Sequence, residues 1–429
     1  MILVQWNEVN FPILRKYADK YDLKSLTAVL KYNQTITHSE TKYELLEPWI
    51  QWASVNTSLP FEKHKIFRLG DVVLSDKSQI YEEVEKKGFK VGAISPMNAL
   101  NRLKDPSYFI PDPWTDTHSD NSFTSKQLTA IIRQTVNDNA AGKITFLSYV
   151  SLIIIFMRFA SRKHWTTYVS LAIKSRKRKW CKALFLDLLL SDVHNKMFLK
   201  ESPDFSTLFL NGFAHIQHHY FLNSEFSEAP IKMPEWYIAS GVDPLYDAVI
   251  VYDKIAQSII ENAEERPLLF ATGLSQQPYH RPIFYYRLAD HSNFMQLLGF
   301  ERFIVQPRMT RDFQVTFSSE KEAKACKDKL ESFSVNNKVL FEVEQRCETL
   351  FATLVYDEKI TENDRVKSDS SVIQLLDHVV FVAIKNGHHC ETGYIAWSNL
   401  PNHFLSNELE HVSMLGEKIT DYFTDHMSD

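Results

Sequence analysis

Short apolar runs alternate with longer amphipathic stretches along most of this chain. Ile2-Leu3-Val4-Gln5-Trp6 reads as a buried strand, Asn7-Glu8-Val9-Asn10 as the polar loop after it, and Phe11-Pro12 opens a helix-like stretch. Residues 43–52 are rich in aromatics, and Pro48 suits the first turn of a helix reaching about Asn56. Residues 78–87 have a helical pattern that Gly88 ends, and 90–95 read as the strand that follows. Residues 105–120 form a loop of Pro, Asp and aromatics, and 125–202 read as mostly helical. A strand at 206–210, a helix at 246–263 and a strand at 267–272 then return to the earlier rhythm.

Residues 311–357 differ in character, with a strand at 313–317, a charged helix at 320–333 and strands near 339–343 and 348–355. A strand at 379–385 leads into Asn386-Gly387-His388-His389-Cys390, and a helix from about Asn407 to Phe423 closes the chain. Strands alternating with helices predict an α/β fold, a mainly parallel sheet with helices on both faces. The expected organisation is a core in three parts, 1–124, 203–305 and 371–429, interrupted by a helical insertion at 125–202 and a small α+β insertion at 306–370.

Composition narrows the function. The 429 residues are 44% hydrophobic and 24% charged, ordinary for a folded chain that can bury a large core. Only 11 are glycine, and neither a P-loop nor a dinucleotide fingerprint occurs, so no nucleotide cofactor is expected. A net charge of −5 gives no reason to expect nucleic acid as a partner. Cys181, Cys326, Cys347 and Cys390 are far apart, which suits a reducing compartment, and no secretory signal precedes the first strand, so the expected location is cytoplasmic. The apolar stretch 144–157 is shorter than the ~20 residues of a spanning helix. The basic segment 158–182 after it fits either peripheral contact with an anionic membrane or a solvated face behind a buried helix.

Polar side chains collect at the proposed strand ends: Asn7 and Glu8, Asn211 and His215, Ser275 and Gln276, His388 and His389. In a parallel sheet those ends share one edge, where ligands bind. Two imidazoles and an oxygen ligand are a reasonable set for a divalent ion, and histidines also move protons near neutral pH. The same histidines, from His215 to His219, would also serve as a hydrogen-bonded helix face packed on Tyr220 and Phe221.

With those residues in order, the chain resembles the alkaline phosphatase superfamily of nucleotide pyrophosphatases, phosphodiesterases and sulfatases. The loop Asn7-Glu8 stands where the family has an acidic metal ligand, and the stretch from Ser54 to His64 is similar to the end of its nucleophile helix. Its Asp-x-x-x-His motif falls on Asn211 and His215, its Tyr-Asp on Tyr252-Asp253, and its Gly-x-His-x-x-x-Gly on Gly387 to Gly393. Three departures stand out: the nucleophile's position falls at about Pro48, next to Glu47; Gly273-Leu274-Ser275-Gln276 replaces Ser-Asp-His-Gly; and Asn211 replaces an aspartate.

The resemblance implies one divalent ion (Zn, Mn or Ca) held by Asn211, His215 and His389, with Glu8, Glu47 and His218 as candidate catalytic groups. Asn7, Gln51, Ser275 and Gln276 would line the substrate pocket, and Arg308 and Arg311 would hold anionic charge. It further implies a hydrolase of a phosphoester or sulfoester of a sugar, nucleotide or lipid-linked carbohydrate. The alternatives are a non-catalytic binding or scaffold protein on the same fold, and a phospho- or glycosyl-transferase; the expected partner is a small-molecule or carbohydrate substrate.

Overall fold

A computed structural model of the chain describes residues 1–140, 146–229, 231, 233–308, 311–367, 372–406 and 410–427. The chain forms two compact units, Met1–Tyr279 with Gly387–Asp429, and His280–Asn386.

The first unit begins with β1 (Ile2–Trp6), α1 (Phe11–Lys20), α2 (Lys24–Val29), β2 (Asn33–His38), α3 (Pro48–Thr57), α4 (Phe61–His64) and α5 (Ile80–Lys86). After β3 (Val91–Ile94) and β4 (Tyr108–Ile110) come four helices, α6 (Phe123–Ala140), α7 (Phe146–Phe159), α8 (Trp165–Lys174) and α9 (Cys181–Glu201). The chain returns through β5 (Phe205–Leu210), α10 (Gly212–Tyr220), α11 (Pro244–Ala263) and β6 (Leu268–Ala271), and β7 (Ser275–Leu288) leads onward.

The second unit holds α12 (His291–Leu297), β8 (Phe303–Pro307), β9 (Asp312–Phe317), α13 (Glu320–Glu331), β10 (Ser334–Val335), β11 (Lys338–Val339), β12 (Phe341–Arg346), β13 (Thr349–Leu354), β14 (Arg365–Lys367) and β15 (Val372–Gln374). Its main sheet is antiparallel, in the order β12-β13-β9-β8, over an apolar core that includes Phe313, Val315, Ala323, Cys326 and Leu350. Then β16 (Val379–Cys390) runs out of it, followed by β17 (Thr392–Ser398), β18 (Glu410–His411) and α14 (Met414–Asp425).

The main sheet has eight strands in the order β18-β2-β17-β6-β1-β5-β3-β4. It is mostly parallel; β17 alone runs antiparallel to its neighbours β2 and β6. The first apolar run is the central strand, between β5 and β6, and every residue of it is buried. Side chains alternate across a strand, so a strand covered on both faces must be apolar throughout. Leu3 shares a core with Trp52 and Val55 of α3, Ile80 of α5 and Leu415 of α14. On the other face Trp6 packs against Phe11, Tyr252 of α11 and Phe270.

Several elements depart from the sequence reading for identifiable reasons. The Pro- and Asp-rich loop 105–120 contains β4, three fully buried residues paired with β3. The strand expected at 379–385 runs on through Asn386 as β16 to Cys390, and the chain then forms β17. The polar run Asn33–His38 is a strand whose buried positions are threonines, Thr35 and Thr37. The closing helix starts at Met414; the expected start, Asn407, lies outside the described residues, as does part of the apolar stretch 144–157.

Candidate metal centre

The carboxyl end of β1 carries the chain into the site. Backbone hydrogen bonds from Asn7 N to Leu210 O and from Glu8 N to Thr272 O tie the turn to the ends of both flanking strands. Glu8 adopts a φ of +59°, a left-handed conformation that costs an L-residue free energy. Its carboxylate is buried: Oε1 accepts from Asn7 Nδ2 at 2.8 Å, and Oε2 accepts from Gln276 Nε2.

Two imidazoles meet the same oxygen. His218 Nε2 and His389 Nε2 each lie 3.0 Å from Glu8 Oε2, and the two nitrogens are 3.2 Å apart. Burial works to raise the Glu8 carboxyl, but His389 and His218 beside it override that and hold it well below the usual carboxylate range. His218 Nδ1 donates to Gly387 O at 3.1 Å, which fixes the ring with its Nε2 toward Glu8. His389 Nδ1 lies 3.6 Å from the carboxylate of Glu47, which is one-third exposed at the N-cap of α3.

Three ligand atoms thus form a nearly equilateral triangle, and this Glu8–His218–His389 group is the metal-competent cluster found among the described residues. A tetrahedral ion with bonds of ~2.0–2.1 Å needs ligand atoms about 3.3 Å apart, close to the spacing here. Without a shared cation or proton, two nitrogen lone pairs and a carboxylate would face one another at contact distance. The donor set therefore fits a divalent ion.

Backbone and amide contacts hold the triangle. Gln217 Nε2 donates to Glu8 O at 2.7 Å, and its Oε1 accepts from Asn10 N at 3.1 Å. Gln276 Nε2 also reaches Ala214 O at 3.0 Å, and Asn10 Nδ2 donates to Gln276 O. A Cβ on Gly387 would lie 2.5 Å from both Gln217 O and Gln276 Oε1, so only glycine lets β16 approach α10 this closely. Asp187 of α9, fully buried, accepts from Gly212 N and from Tyr252 Oη and so fixes the start of α10. Burial raises its carboxyl to about 6, against the pull of those hydrogen bonds.

The sequence candidates fall into three groups. Glu8, His218, His389 and Glu47 come together. Asn7, Asn211 and Gln276 form the polar surround: Asn7 Nδ2 donates to Asn211 Oδ1 at 2.7 Å, while Trp52 Nε1 donates to Asn7 Oδ1 at 2.8 Å. The amide of Asn211 thus joins Asn7, and the imidazole that meets Glu8 and His389 is that of His218; His215 is exposed and meets His219 ring to ring at 4.7 Å. Ser275 and Gln51 are buried, Gln51 donating to Leu45 O. Arg308 and Arg311 belong to the second unit, where Arg308 donates to Gln306 and Gln314 and Arg311 stacks over Tyr285. Sequence reasoning missed Asn10, Gln217 and Asp187; the first two stand in stretches already marked as polar, and nothing local distinguishes Asp187.

The sequence matches no family profile and no curated protein. Among solved structures, phosphonoacetate hydrolase from Sinorhizobium meliloti 1021 in complex with phosphonoacetate is similar at 11% identity, TM-score 0.44, covering 98% of this chain and 94% of that one. Murine ectonucleotide pyrophosphatase/phosphodiesterase 5 is similar at 11% identity, TM-score 0.45, over 99% and 95%. TAB5 alkaline phosphatase, a mutant with Mg bound, is similar at 8% identity, TM-score 0.41, over 99% and 97%. The structural match therefore runs along nearly the whole chain at low identity.

Proposed function

We propose that the protein is a hydrolase of a phosphoester or sulfoester, with a sugar, nucleotide or lipid-linked carbohydrate as substrate, and that one divalent ion is held by Glu8, His218 and His389. The observation that carries this reading is the convergence of two imidazole nitrogens on one buried carboxylate oxygen. Two nitrogen ligands favour zinc or manganese over calcium, which prefers an all-oxygen shell. When bound, such an ion supplies positive charge for the ester oxygen and lowers the pKa of water.

The chain's own groups divide the remaining work. The first helical position of α3 is Pro48, which offers no nucleophile, so the reading is attack by water without a covalent intermediate. Glu47, partly exposed and beside His389, takes the proton from that water. Asn7, Asn211 and Gln276 surround the site as neutral amides, leaving Glu8 as its buried anion.

The test is turnover of nitrophenyl phosphate, bis-nitrophenyl phosphate and nitrophenyl sulfate by zinc- or manganese-loaded protein. Wild type should turn over at least one ester, and Glu47→Gln should lower kcat by roughly 10²–10⁴-fold with metal content unchanged. Metal-loaded wild type inert toward all three, or Glu47→Gln as active as wild type, would refute the corresponding half of the proposal.

A further inference from the structure

Helix α8 is apolar on two sides. Thr167, Tyr168 and Leu171 face inward, while Trp165, Val169 and Ile173 are exposed at 47%, 59% and 63%. These three are spaced four residues apart, so they form one row about 12 Å long on the outer surface. Ile153, Ile154 and Met157 of α7 are also more than half exposed, and the rings of Phe156 and Trp165 bring the two helices together, 6.5 Å apart. An exposed apolar surface of this kind needs an occupant.

Charge says which kind. Residues 158–182 contain nine lysines and arginines and no acidic residue. Arg162 and Lys163 stand before the row, and Arg176, Lys177, Lys179 and Lys182 after it, all exposed. Lys174 and Arg178 are committed to Asp247, and Lys163 to Glu261; Arg162, Arg176, Lys177, Lys179 and Lys182 enter no ion pair among the described residues. A tryptophan-led apolar row bracketed by unpaired cations matches the layered chemistry of a bilayer surface, apolar below and anionic above. No helix among the described residues is long and apolar enough to cross a membrane.

We propose that the outer face of α7 and α8 docks on an anionic lipid bilayer, with Trp165, Val169 and Ile173 entering the interface and the flanking cations meeting lipid headgroups. This inference is independent of the hydrolase reading. It is tested by flotation of the full chain with vesicles of phosphatidylcholine alone, or with one part in four of phosphatidylglycerol. Wild type should float with the anionic vesicles, weaken as salt is raised, and bind phosphatidylcholine at least tenfold less. Val169→Glu with Ile173→Glu should lose at least tenfold in binding while keeping the wild-type circular dichroism spectrum, and Arg176→Gln with Lys177→Gln and Lys179→Gln should lose binding and salt dependence together. If the glutamate pair does not fold, the charge variant decides alone. Failure of wild type to float, or equal flotation of wild type and a folded variant, overturns the proposal. So does a wild-type dimer that the glutamate pair turns into a monomer, since the face would then pair with a second copy.

Discussion

At the scale of single residues, the choice of His218 over His215 follows from helix geometry. The face of α10 that meets Glu8 and Gln276 consists of Ala214, Gln217 and His218, positions i, i+3 and i+4 of one row. His215 and His219 form the neighbouring row and contact each other. The histidine-rich stretch was legible as chemistry, and so were Glu8 and His389 at strand ends. Which row faces the sheet was not, because it depends on how Asp187 and Tyr252 seat the start of the helix. Gly387 gives the sharpest single-residue prediction. Gly387→Ala places a Cβ 2.5 Å from Gln217 O, so α10 or β16 must shift. Stability should fall by about 1–3 kcal/mol in urea denaturation, and metal affinity should drop roughly 10–100-fold, as for other losses of outer-shell support. Wild-type values for both would mean that the close approach does not position the ligands.

At the scale of elements, α10 is held at its N-terminus by one buried carboxylate. The folded pKa of Asp187 lies above its unfolded value, at about 6 against 3.8, so its favourable contribution is full below about pH 4 and is lost as pH rises through 6. Asp187→Asn should remove that segment of the pH dependence, read from urea midpoints between pH 4 and 7; an unchanged profile would show that the carboxyl titrates normally. The buried apolar strands β1, β5 and β6 and the capped helices were legible because burial on both faces leaves a continuous hydrophobic run. Strands β2 and β17 were not. In β2 the inward positions are threonines, which read as polar, and β17 follows directly on a histidine- and glycine-bearing stretch with no apolar run to mark a new strand.

At the scale of the whole molecule, buried histidines in the first unit contribute to the loss of stability in acid. Burial pushes His194, within hydrogen-bond distance of Ser206 at 2.8 Å, down to about 4, and the same effect takes His64 to about 4. Folded values below the unfolded 6.5 mean that this stability is complete above pH 6.5 and is lost as pH falls toward 4, opposite in sign to Asp187. His194→Gln keeps a donor for Ser206 and should flatten part of that decline, by up to roughly 3 kcal/mol at pH 4; a decline as steep as wild type would place the titration elsewhere.

The chain divides into two compact units, and Glu8, His218 and His389, the proposed ligands, all lie in the first, so the proposed centre belongs to that unit. Its most direct test is the metal content of three purified proteins: wild type, His218→Ala and His215→Ala. Wild type and His215→Ala should each retain about one equivalent of zinc or manganese after dialysis, and His218→Ala should lose it while staying folded. Full occupancy in His218→Ala with loss in His215→Ala would contradict the centre described above.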